Sequence, residues 1–99
     1  MVFSWFDARA SITCALALAE MVAQGYPASE RKGTKKAVMH RAKLLDKVFA
    51  QANQFSRAEK PNFYKKAKLG NTLRWKLVEL GFEESFVDDL VHQVMVHME

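Results

Sequence analysis

Set out at about 100° per residue, the apolar positions of the chain fall into four runs of helical period, separated by strong breakers. In the first, residues 7–24, the polar stripe is narrow: Arg9, Thr13, Glu20 and Gln24. Most other positions there are small or apolar, which predicts a central helix whose neighbours approach closely. Gly25-Tyr26-Pro27 stops it. The second run opens near Thr34, a plausible N-cap after Gly33, and extends to about residue 56. Val38, Ala42, Leu45, Val48, Phe49, Ala52 and Phe55 recur there at spacings of three and four, making one apolar face. Pro61 closes the region, because the residue before a proline is pushed out of helical geometry. In the third run, residues 62–80, the pattern predicts an inner face of Phe63, Ala67, Gly70, Leu73, Leu77 and Leu80, widened by Tyr64, Trp75 and Val78. Gly81 ends it. The fourth, residues 83–98, turns Phe86, Val87, Leu90, Val91, Val94 and Met98 inward. Glu83 and Glu84 sit where acids complement a helix N-terminus.

This pattern predicts an all-α fold: one compact four-helix domain over residues 1–99, with short connections that favour mainly antiparallel neighbours. No repeat, low-complexity tract or linker divides the chain. Hydrophobic residues make up 49% of it, which excludes intrinsic disorder on compositional grounds. A chain of this size buries about two-thirds of its unfolded surface, enough to do without metal or disulfide staples. Cys14 is the sole cysteine, so no intramolecular disulfide forms and a reduced, cytoplasmic setting is expected. Residues 10–23 imitate a secretory signal, but Asp7 and Glu20 are out of place in one, and we expect the N-terminus to be kept. The same stretch falls short of the roughly 20 residues that span a bilayer.

Two local resemblances accompany the pattern. Leu80-Gly81-Phe82, between two amphipathic helices, resembles the helix–Gly-Phe–helix corner of ubiquitin-associated domains and of the helical repeats of RecX-type regulators. The corner implies an αα-turn, with glycine as a left-handed cap and an apolar residue after it. Trp5-Phe6-Asp7-Ala8 and residues 62–71 look like segments of short uncharacterised bacterial helical proteins, a resemblance that implies no activity.

Charge changes the picture more than composition does. Residues 31–76 hold fourteen of the fifteen basic side chains, with Asp46 and Glu59 their only acids, for a local charge of +12. Residues 77–99 carry six acids and no Lys or Arg. Lys35, Lys36, Lys43 and Lys47 lie on the outward side of the second segment, and Lys65, Lys68 and Lys76 together on the third. With Phe63, Tyr64 and Trp75 interleaved, they form a candidate nucleic-acid surface. The competing expectation is an ordinary solvated face, partly neutralised by the acidic last helix, and no binding motif opposes it. A helix-turn-helix is excluded, since its recognition helix would turn Glu83, Glu84, Asp88 and Asp89 toward phosphates. Membrane-surface binding by the second segment is disfavoured as well, because three other helices stand ready to cover its apolar face.

Two arginines fall at odd phases. Arg41 lies among Val38, Leu45 and Val48, and Arg74 among Phe63, Ala67, Gly70 and Leu77. A guanidinium on an apolar face needs a partner, because its desolvation costs several kcal/mol. Either each pairs with an acid of another helix, such as Asp7, Glu20, Asp88 or Asp89, or the two form an anion site. We expect at least one to be mostly buried.

Catalytic and metal-binding arrangements are thin. Cys14 sits on a near-apolar helix with no base in pattern. His92 and His97 are five apart, about 140° round a helix, and do not share a metal as an i, i+4 pair does. His40 is isolated, and Gly25, Gly33, Gly70 and Gly81 each stand alone, so no phosphate loop exists. No enzyme activity, metal or cofactor is therefore expected. The sequence leads to a small interaction or regulatory domain whose partner is a protein or a second copy, motivated by the apolar first segment and by Phe3, Trp5 and Phe6. A nucleic-acid-associated protein using residues 31–76 is the alternative.

Overall fold

The computed structural model describes residues 7–26, Arg31 and residues 42–98. Among these are four helices and no strand: α1 (Arg9–Gly25), α2 (Ala42–Glu59), α3 (Phe63–Glu79) and α4 (Glu84–His97). The expected all-α four-helix domain is thus what forms. The expected start of the second helix at Thr34, and Val38 within it, lie outside the described residues. No helix among them is long and apolar enough to cross a membrane.

Local chemistry sets the ends of the elements. Asn62 caps α3, its side-chain oxygen accepting the Lys65 N–H at 2.9 Å. At the other end, Phe82 N–H donates to Leu77 O at 3.1 Å and Gly81 N–H to Val78 O at 3.0 Å, with Gly81 at φ 94°. That pair of bonds is a Schellman motif, and it satisfies carbonyls the helix leaves open. Lys60, just past α2 and before Pro61, takes φ 47°. The end of α4 is fastened by α2 instead: Asn53 Nδ2 donates to His97 O at 2.8 Å and Ser56 Oγ to Met98 O at 2.6 Å.

Both α1 and α4 pack against α2 and α3. Round the bundle the order is therefore α1, α2, α4, α3, and the two helices drawn from the basic segment, α2 and α3, occupy opposite corners. Consecutive helices run in opposite directions, so α1–α2 and α3–α4 are antiparallel contacts. Pairs α1–α3 and α2–α4 run parallel. The C-terminal ends of α1 and α3 meet at Arg31, while their first turns share a cavity lined by Asp7, Arg9, Pro61 and Lys65. The core is a column of Leu18, Val22, Val48, Leu69, Leu73, Leu77, Phe86, Leu90 and Val94, closed at one end by Tyr26 edge-on to Phe82 and Phe86.

In α3 the inner face keeps the expected Gly70, Leu73 and Leu77 but adds Leu69 and loses the aromatics. Its buried residues are Leu69, Gly70, Leu73 and Leu77, whereas Phe63 is 85% exposed and Trp75 62%. The leucines at spacing four are the residues that both neighbours reach. At Gly70 the contact with α4 is close, since a Cβ there would sit 3.2 Å from Met95 Sδ. Burial therefore centres on Leu73, and the aromatic positions rotate out to solvent.

Candidate functional site

With Leu69, Leu73 and Leu77 inward, helical phase carries Phe63, Tyr64, Trp75 and Val78 to the outer surface of α3. Ala67 and Asn71 lie between them on the same face. From Tyr64 to Trp75 is eleven residues, or about 16 Å along the axis. The exposed aromatics span about two-thirds of the helix, with Asn71 and Arg74 exposed among them. On a small protein, large aromatic side chains left in solvent are candidates for an interaction site.

The two edges of this surface carry charges that are partly paired within the chain. On the α4 side stand Glu84 and Asp88, both pairing with Arg74: its Nε lies 2.9 Å from Asp88 Oδ1, and Nη2 lies 3.8 Å from Glu84 Oε1. On the α1 side run Lys65, Lys68 and Lys76, of which Lys68 is exposed and the other two half-buried. Lys76 also meets Glu79 at 3.4 Å.

Of Arg41 and Arg74, at least one of which is expected from sequence to be mostly buried, Arg74 is not buried. Its side chain is 46% exposed, because it follows Leu73 directly and so lies about 100° round the helix from the centre of the packed face. It does pair with Asp88 of another helix, as a surface ion pair rather than a buried one. Arg41 lies outside the described residues, as do Lys35 and Lys36. Lys43 and Lys47 are exposed on α2, the corner opposite α3, so the described lysines of the basic segment are divided between two sides of the bundle.

The arginine with the most built surroundings is one that phase on a helix does not single out. Arg31, half-buried, donates from Nε to Tyr26 O at 2.9 Å, from Nη1 to Leu80 O at 3.0 Å and from Nη2 to Ala23 O at 3.0 Å. Its guanidinium also lies 5.1 Å from the centre of the Phe82 ring, and its own carbonyl accepts the Glu83 N–H at 2.9 Å. It thus holds the C-terminal ends of α1 and α3 and the start of α4 together, a cation placed where two helix dipoles end. This is structural work. The one signal in sequence was its position between two helix stops, Gly25-Tyr26-Pro27 and Leu80-Gly81, which are distant along the chain.

Among the described residues, groups capable of chemistry are not brought together. Cys14 is buried, and burial pushes its thiol from 9.0 up to about 11. His97 stacks on Phe49 with ring centres 4.5 Å apart, its Nδ1 2.8 Å from Gln93 O. No group of His, Cys, Asp and Glu able to hold a metal occurs among the described residues. The cavity of about 330 Å³ where α1 and α3 begin contains an Asp7–Arg9 ion pair at 2.8 Å, and the Arg9 hydrogen bonds hold the Asp7 carboxyl down at about 2. No buried side-chain nitrogen or oxygen among the described residues lacks a hydrogen-bond partner, so none of them is left over to meet a ligand.

No family model matches the chain, and neither does any curated protein or solved structure. The fold defines its class alone, a four-helix domain with an uncovered aromatic face.

Proposed function

We propose that this chain is a non-enzymatic interaction domain that docks a protein on the outer face of α3. One observation carries the reading: Phe63 is 85% exposed and Trp75 62% on the outward side of α3, with Tyr64 and Val78 each 36% exposed beside them. Large aromatic side chains anchor interfaces because each removes much apolar area from water with little rotamer entropy to lose. The surroundings favour protein over nucleic acid, since Glu84 and Asp88 stand beside this face and engage its Arg74. A buried free thiol at Cys14 goes with a reducing compartment, and we place the domain in the cytoplasm on that ground.

A second reading rests on the other edge. Tyr64 and Trp75 flank exposed Lys68, the arrangement of a stacking platform for a single nucleic-acid strand. One experiment separates the two. A photo-activated cross-linking amino acid in place of Trp75, irradiated in the native host, is expected to give protein adducts. Nucleic-acid adducts, or none, would overturn the protein-docking reading.

A further inference from the structure

We draw no further inference here: the strongest candidate, the apolar groove between α1 and α2 formed by Ala10, Cys14, Ala17, Phe55 and Ala58, has nothing in the structure to show what covers it.

Discussion

Arg31 and Arg74 carry the same charge and differ in what they hold. Arg74 sits at the rim with both acid partners more than half exposed, and such pairs contribute about 1 kcal/mol or less. Arg74→Met is therefore expected to lower stability by less than about 1 kcal/mol in chemical denaturation. Arg31 divides its guanidinium among three carbonyls from the ends of two helices. Hydrogen bonds from a charged donor are worth about 1.5–3 kcal/mol, and a lysine cannot reproduce the planar fork. Arg31→Ala should cost about 2–3 kcal/mol and lower the melting midpoint by roughly 10 °C or more, with Arg31→Lys recovering only part. Equal melting curves for the Arg31 and Arg74 variants would contradict this assignment. Cys14 adds a prediction with a pH sign. Its folded-state value, about 11, lies above the ordinary 9.0, so the protonated thiol contributes stability below pH 9 that is lost as pH rises from about 9 through 11. Below that window Ellman's reagent should label it slowly in the native state and rapidly after denaturation. Fast native labelling would mean an accessible thiol.

At the scale of the element, the stops differ in how well sequence suits conformation. Gly81 takes φ 94°, which an L side chain adopts only with strain, and nothing lies within 4 Å of where its Cβ would be. Gly81→Ala should then cost about 1–2 kcal/mol from backbone alone. Lys60 takes φ 47° with a side chain present, so Lys60→Gly should be neutral or stabilising by about 1 kcal/mol or less. Opposite signs at the two positions in urea denaturation would confirm both conformations; equal signs would refute one. Helix existence, type and end were legible here, because caps and breakers act over a few residues: Asn62, Pro61 and Gly81 stand where the pattern requires them. The face α3 buries was not. Its leucines at 69, 73 and 77 and its aromatics at 63, 64 and 75 all lie on the helix as apolar positions, and spacing alone lets the inner face be drawn wide enough to take in both.

For the whole molecule, topology decides which surfaces are shared. Because α2 and α3 stand at opposite corners, Lys43 and Lys47 on the one and Lys65, Lys68 and Lys76 on the other lie on helices that do not adjoin. The acidic α4 lies beside α3 and takes up Arg74. The exposed aromatics of α3 are outside the core, so Phe63→Ser and Trp75→Ser are expected to leave the monomer's stability within about 0.5 kcal/mol. A loss of 2 kcal/mol or more, on the scale of a truncated core aromatic, would place those side chains inside the fold and remove the proposed interface.

What this sequence determined by itself was local and compositional: an all-α chain, four helical segments and their stops, a buried lone thiol on a near-apolar first helix, and a basic stretch followed by an acidic one. Each depends on residues within a few turns of one another, where spacing and capping suffice. Tertiary structure alone decided that Arg31 joins the ends of α1 and α3, that Arg74 stands at the rim, and that Phe63 and Trp75 face water. Those outcomes depend on which helices become neighbours. In a bundle that choice is made by how well the faces of all the helices pack at once, and two faces of similar hydrophobicity on one helix are told apart only when its partners are in place.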